Sequence, residues 1–398
     1  MKKVNEDLYW IGASDRRLAL FENIYPIPRG VSYNSYVILD EQTVLLDTVD
    51  KSVSGQFFEN LEHVLGNRPL DYMIVNHMEP DHCAIVEEVV RRFPEVKVVG
   101  NAKTFNMMKQ FFTFDVDAHA VVIKEGDTIS TGKHTLAFAM IPMVHWPEAM
   151  VTYDAYDKVL FSADAFGTFG ALNGNVFADE VNFKEEWLDD ARRYLVNIVG
   201  KYGIQVQNVL KKAAALDIQM ICPLHGPVWR SNLSYILEKY DIWSKYEAET
   251  KGVMIAYASM YGNTENMVNV LAAMLADAGI TNIKIHNISK THVSELISDS
   301  FKYSHLVLAA PTYNNGIYPL MANYLEDMKA LMVQGRTVAV LGNGSWAPQS
   351  AKLMEAKLAE LKNMTLLTEN FAVKSALHDS QMEQLQELCT KITDSVNA

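Results

Sequence analysis

The chain has 398 residues, enough for two domains that each bury a core of their own. Apolar residues make up 49% and charged residues 21%, a globular composition. The net charge of -13 argues against nucleic acid as a partner, because phosphate binding needs clustered Lys and Arg, and no apolar run approaches the roughly 18 residues that a membrane span needs.

The N-terminus, MKKVNEDLYWIG, lacks the apolar stretch of a signal peptide. The three cysteines, Cys83, Cys222 and Cys389, are too few and too scattered for a disulfide framework. They fit a reduced, cytoplasmic interior. There is no C-x-x-C pair, so no rubredoxin-like iron site is encoded.

In chain order, strands are expected at Tyr36 to Leu39, Thr43 to Asp47, Tyr72 to Val75 and Val96 to Val99. Helical patterns fall at Val53 to Leu65 and Thr104 to Phe112. Further strands are expected at Thr135 to Phe138 and Lys158 to Phe161. Strand runs with interspersed helices imply an α/β or α+β sandwich. A helical pattern at Leu233 to Tyr246 leads into a charged segment, Glu247 to Lys251, and there the texture changes. From Gly252 strands and helices alternate: a strand at Val253 to Ala256, a helix at Glu265 to Ala278, and strands at Leu306 to Ala309 and Val338 to Leu341. That alternation implies a doubly wound parallel sheet. The boundary is placed near 250, giving domains of residues 1–250 and 251–398.

The stretch that ends the third strand holds His77, Glu79, Asp81 and His82 within six positions, with Pro80 stiffening the loop. All four side chains can bind a metal. Asp81 has a second reading, as the cap of a helix beginning near Cys83. Three later strand ends each add one candidate ligand: His145 in M-V-H-W-P, Asp164 in L-F-S-A-D, and His225 in C-P-L-H-G-P. Each alone is an ordinary core histidine or capping acid. Together they form a metal constellation at strand ends, where open α/β sheets keep their chemistry.

In the second half Ser259-Met260-Tyr261-Gly262-Asn263-Thr264 follows a buried strand and opens a helix. Hydroxyl and amide donors and free N–H groups at a helix N-terminus suit a phosphate. The lysine of a Walker loop is missing. Two more strand-end loops combine small residues with an aromatic: Pro311-Thr312-Tyr313-Asn314-Asn315-Gly316 and Asn343-Gly344-Ser345-Trp346.

The set His77-x-Glu79-x-Asp81-His82, His145, Asp164 and His225 resembles that of the flavodiiron proteins, and the loop from Ser259 to Thr264 resembles the phosphate loop of flavodoxins. Tyr261 stands where that loop usually carries a hydroxyl side chain. The resemblance covers essentially the whole chain. It implies an N-terminal metallo-β-lactamase-like αββα sandwich followed by a flavodoxin-like domain. It assigns His77, Glu79 and His145 to one iron, Asp81, His82 and His225 to the other, and Asp164 to a bridge. It implies FMN held by the three loops named above. The expected activity is reduction of O2 to water or NO to N2O, with no catalytic side chain beyond the metal ligands. Electrons are expected from rubredoxin or a similar carrier, and the assembly is expected to be a head-to-tail homodimer or a dimer of dimers. Competing expectations are a zinc hydrolase fused to a flavodoxin domain, against which Glu79 stands in place of the usual histidine, and a non-catalytic flavin electron carrier. Trp146 is a candidate for the interface, and Tyr25, Tyr33 and Lys51 are candidates for groups surrounding the ligands.

Overall fold

Short aliphatic runs set the strands of the first half, and their burial on both faces shows why they carry no polar alternation. Tyr36–Leu39 and Thr43–Leu46 are almost wholly buried, as expected for a sheet covered on both sides. The computed structural model describes residues 1–398. The chain divides into two compact units, Met1–Asp241 and Ile242–Ala398.

The first unit contains two main sheets. One has seven strands, in the order Lys2–Lys3, Leu8–Trp10, Tyr36–Leu39, Thr43–Leu46, Tyr72–Ile74, Lys97–Gly100 and Ala120–Val122. Its first four strands pair antiparallel and the rest parallel. The other has five: Thr128–Ser130, Thr135–Met140, Met150–Asp154, Val159–Phe161 and Met220–Cys222. The helices Ser54–Leu65, Val86–Arg92 and Ala102–Phe111 bury Phe57, Leu61, Val89, Phe105 and Met108 in the core of the first sheet. The second sheet meets the first across Tyr36 and Phe161, whose rings stand 5.5 Å apart edge to face. This is the αββα sandwich expected from the sequence.

His134 clamps the second sheet. Its Nδ1 lies 2.8 Å from Asp154 and its Nε2 3.2 Å from Asp7. The nearby acids Asp7 and Asp157 give this histidine the look of a metal site, but both ring nitrogens are already engaged.

The second unit is a parallel sheet in the spatial order Ile283–Asn287, Thr250–Tyr257, Tyr303–Tyr313, Thr337–Asn343 and Thr365–Leu366. Numbered along the chain this is 2-1-3-4-5, the flavodoxin order, whose ligand crevice lies at the strand C-termini. Met267, Val268, Leu271 and Leu275 of the helix Asn263–Asp277 pack into its core with Leu385, Leu388 and Ile392 of the helix Met382–Asn397. The connecting residues ahead of Thr250 are tied to this unit by the buried Arg336, which donates to the carbonyls of Tyr246, Ser300, Phe301 and Gln334. No helix is long and apolar enough to cross a membrane.

Candidate diiron centre and flavin cleft

Strand ends of both sheets in the first unit carry the clustered residues. His77 and Glu79 follow Tyr72–Ile74, and Asp81 and His82 lie in the one-turn helix Pro80–Cys83. The buried Asp47 fixes this loop. It accepts from the Asn76 backbone N–H and side-chain amide, both at 2.7 Å, and from the His77 N–H at 3.3 Å. Asp81 does not cap a helix: the N-cap position is Glu79, and both Asp81 carboxylate oxygens are buried without a hydrogen-bond partner.

His145 follows Thr135–Met140, Asp164 follows Val159–Phe161, and His225 follows Met220–Cys222. The loop bearing His225 is pinned by Asn34, whose amide donates to the carbonyls of Pro223 (2.9 Å) and Gly226 (2.8 Å). His225 Nδ1 lies 2.7 Å from the Ser32 carbonyl. Gly226 has φ +76°, and an added Cβ there would lie 2.1 Å from Thr168 Cγ2. Only glycine fits.

The ligand-type atoms fall into two groups, His77, Glu79, His145 and Asp164 in one and Asp81, His82 and His225 in the other, each with its atoms within 4.8 Å of one another. Glu79 Oε2 lies 2.8 Å from His145 Nε2 and 3.4 Å from His77 Nε2. Asp81 Oδ2 lies 3.3 Å from His82 Nε2 and 3.2 Å from His225 Nε2. Asp164 connects the groups. Its Oδ2 is 3.2 Å from both His77 Nε2 and His145 Nε2, while its Oδ1 is 3.2 Å from His82 Nε2 and 3.7 Å from His225 Nε2.

The electrostatics of the cluster call for cations. Burial opposes charge on His77, but Asp164, Glu148 and Glu79 outweigh it and hold the imidazole well above its ordinary range. Burial likewise opposes charge on His145, which Asp164 and Glu79 nonetheless raise to about 9. Burial would raise Asp164, yet His77, His145 and His82 pull it well below the carboxylate range. Imidazoles that keep protons because carboxylates surround them are the groups that a metal deprotonates on binding. His77 Nε2 and both oxygens of Asp164 are buried with no hydrogen-bond partner. Orphans of this kind are rare unless an ion satisfies them. Four imidazoles and three carboxylates fit two iron ions.

Aromatic rings wall the cluster. Phe21, Tyr33 and Tyr194 pack on His225 at 5.4, 5.8 and 5.5 Å between ring centres. Trp146 packs on His77 at 5.4 Å. Of the surrounding groups expected, Tyr33 packs on two of the candidate ligands, His82 and His225. Tyr25 packs on Phe169 instead, and Lys51 lines a separate groove with Phe58 and Arg92. A cavity of about 530 Å³ opens on the cluster between Leu18, Phe21, Glu22, Tyr33, Asp50, Glu79 and Asp81. Glu22, at a hairpin tip with φ +50°, reaches Glu79. Burial, and then Glu79 itself, push its carboxyl up to about 8. Glu22, Asp47 and Tyr194 stand far from the candidate ligands in sequence, and Glu148, three residues after His145, belongs to no recognisable motif.

In the second unit a cleft of about 350 Å³ lies at the strand C-termini. Ser259, Met260, Tyr261, Asn263, Thr264, Pro311, Thr312, Asn314, Asn315, Asn343, Gly344, Ser345 and Trp346 line it. Three expected residues do not. Gly262 supplies the turn instead, at φ +92° ahead of the helix Asn263–Asp277, with its N–H donating to Ser259 Oγ at 3.0 Å. Tyr313 and Gly316 are paired in a hairpin ladder, and the Tyr313 ring turns toward Tyr318. Ala347, at the end of the third loop, lines the cleft too, and so does Ser375, which the sequence does not point to. Ser375 is locked to Asn343, donating its N–H to Oδ1 (3.0 Å) and accepting from Nδ2 at its carbonyl (2.9 Å). A helix N-terminus of free N–H groups, hydroxyl donors and the exposed rings of Tyr261 and Trp346 match the phosphate and ring of FMN.

Two family models match the chain: an ODP family beta lactamase over residues 31–226 and flavodoxin over residues 255–389. The chain is 30% identical over 362 residues to an anaerobic nitric oxide reductase flavorubredoxin of Vibrio vulnificus, covering 90% of this chain and 72% of that protein. It is 28% identical over 392 residues to a nitric oxide reductase of Moorella thermoacetica, covering 98% and 97%. Among solved structures, the rubredoxin oxygen:oxidoreductase of Desulfovibrio gigas superposes with a TM-score of 0.90 at 28% identity, covering 100% of this chain and 98% of that one. With a β-lactamase-type sandwich, a flavodoxin-type sheet and relatives of this kind, the chain belongs to the flavodiiron family, oxidoreductases that join a diiron domain to an FMN domain.

Proposed function

We propose that the chain is a terminal reductase that passes electrons from an external redox protein, such as rubredoxin, to O2 or NO, giving water or N2O. The observation that carries this reading is Asp164, whose two oxygens each face a different group of ligand atoms. In this reading residues 1–250 hold the metals and residues 251–398 hold FMN. His77, Glu79 and His145 would hold one iron and Asp81, His82 and His225 the other, with Asp164 facing both groups. Together the irons and FMN supply the one- and two-electron chemistry that no side chain offers.

The protein's own part is positional. Asp47 and Asn34 fix the ligand loops through the hydrogen bonds described above. Phe21, Tyr33 and Tyr194 keep water from the flank of His225. The mouth, lined by acids and apolar groups, favours a small neutral substrate over an anion. In the second unit, Ser259 and Thr264 with the helix N-terminus would hold the phosphate, and Asn343 and Ser375 shape one wall of the cleft.

The relatives named for rubredoxin and for nitric oxide support both donor and substrate class. The carrier-dependent activity implies a cytoplasmic enzyme, and the assembly proposed is a head-to-tail homodimer or a dimer of dimers. The test is metal and flavin content on one anaerobic preparation, followed by O2 and NO consumption with and without a reduced rubredoxin. About two irons and one FMN per chain, with carrier-dependent turnover, is the expected result. Zinc in place of iron would favour the hydrolase, and equal rates without the carrier would defeat the donor assignment. Sedimentation would separate dimer from tetramer, and a monomer would defeat both.

A further inference from the structure

We infer that Glu148 is a positioning residue that makes the two metal positions unequal, so that the position of His77, Glu79 and His145 binds its iron more tightly and at lower potential. The inference rests on the diiron reading. Glu148 Oε1 lies 2.9 Å from His77 Nδ1, the ring nitrogen that faces away from the cluster. The same oxygen accepts from the Met78 N–H at 2.9 Å, so the carboxylate is fixed across the imidazole. Glu148 is wholly buried, and its Oε2 has no hydrogen-bond partner. Its backbone carbonyl accepts from the Asn101 amide at 2.6 Å, and Asn101 itself caps the helix Ala102–Phe111.

At the other position no carboxylate is hydrogen-bonded to the far nitrogen of an imidazole; the buried Asp47 acts on His82 only through space. His225 Nδ1 meets a neutral carbonyl, that of Ser32, at 2.7 Å. His82 Nδ1 is buried with no partner. A carboxylate on the far nitrogen of a metal-bound imidazole raises its basicity and fixes its orientation, and a neutral carbonyl does so less. An iron at the His77 position would therefore have a buried carboxylate in direct contact with one of its imidazoles, which an iron at the other position would lack. Negative charge favours the ferric over the ferrous ion, which lowers the potential of that iron alone.

The experiment compares the full chain with its Glu148→Gln and Glu148→Asp variants, prepared anaerobically without metal. Stepwise titration with ferrous ion is followed by potentiometry of the loaded proteins. Glu148→Gln keeps the size and the acceptor oxygen but loses the charge. One of the two binding steps is expected to weaken about 10–100-fold while the other holds. One of the two one-electron couples is expected to rise, by about 59 mV for each tenfold change in ferric over ferrous preference. Unchanged steps and couples, or equal weakening of both steps, would overturn the inference. If Glu148→Gln unfolds by circular dichroism, Glu148→Asp decides. It withdraws the charge by one methylene and must weaken the same single step, and unchanged binding would again overturn the inference. A wild-type chain that takes up no iron would instead overturn the diiron reading itself.

Discussion

Gly226→Ala tests how tightly the His225 loop is built. Two separate costs follow from the structure. The residue has φ +76°, and a left-handed backbone costs an L-residue about 1–2 kcal/mol. The added methyl would also lie 2.1 Å from Thr168 Cγ2, an overlap whose relief costs about 1–3 kcal/mol. Gly226→Ala should therefore lose about 2–5 kcal/mol. Thr168→Ser removes only the colliding methyl and keeps the hydroxyl that donates to the Phe169 carbonyl at 2.9 Å. The double variant should regain the overlap cost and keep the backbone cost, a coupling that a double-mutant cycle isolates. Urea unfolding of the full chain gives the four stabilities, and hydrogen exchange of the segment 220–230 assigns the loss to this loop. A fully destabilised double variant, or a Gly226→Ala as stable as the parent, would refute the reasoning. In either fold-competent variant, a displaced His225 should lower affinity for one metal and spare the other.

Three further outcomes are expected. Asp164→Asn keeps the shape of the residue facing both groups but removes its charge, so iron content should fall from about two per chain to one or fewer, read by metal analysis after desalting; full retention would show that Asp164 spans nothing. Asn343→Ala releases Ser375, which its side chain holds with two hydrogen bonds; at about 1 kcal/mol per bond, FMN affinity should drop by up to about thirtyfold in a fluorescence titration, and an unchanged affinity would remove Ser375 from the cleft wall. For His134, burial opposes the charge, but Asp154 and Asp7 raise the imidazole from 6.5 to about 9. Because its folded value is the higher, its contribution is complete below about pH 6.5 and is lost as pH climbs through 9. Urea midpoints between pH 6 and 10 should fall along that window, and His134→Gln should flatten the slope.

The legible parts of this site are those in which chemistry and chain order coincide. His77, Glu79, Asp81 and His82 crowd one loop, and His145, Asp164 and His225 each trail an apolar run, so the pattern of strand followed by candidate ligand is visible in the sequence itself. Glu148 was not legible. It meets His77 across 71 residues, and nothing in P-E-A-M distinguishes it from a solvated acid. Ser375 was hidden for a related reason: it follows a two-residue strand, Ala372–Val373, too short to show a period. The alternation after Gly252 announced a parallel sheet, but the 2-1-3-4-5 order comes from which strands pair, information that spreads over the whole unit. P-T-Y-N-N-G reads as a turn, but the strand runs to Tyr313 before turning, and the Tyr313 ring lies against Tyr318. The strands Lys2–Lys3 and Leu8–Trp10 escaped notice because two or three residues carry no alternation to read.

The source of the ligands has a mechanical consequence. His77, Glu79, Asp81 and His82 hang from the seven-stranded sheet, while His145, Asp164 and His225 hang from the five-stranded one. The two sheets share no strand ladder. A metal held between them is a cross-link joining chain segments as far apart in sequence as His82 and His225, 143 residues. Closing a loop of that length removes conformational freedom from the unfolded chain much as a long-range disulfide does, in a chain whose three cysteines are all free. In the proposed diiron reading, the irons would act as rivets as well as redox centres, and a chelator would attack the seam of the sandwich along with its chemistry.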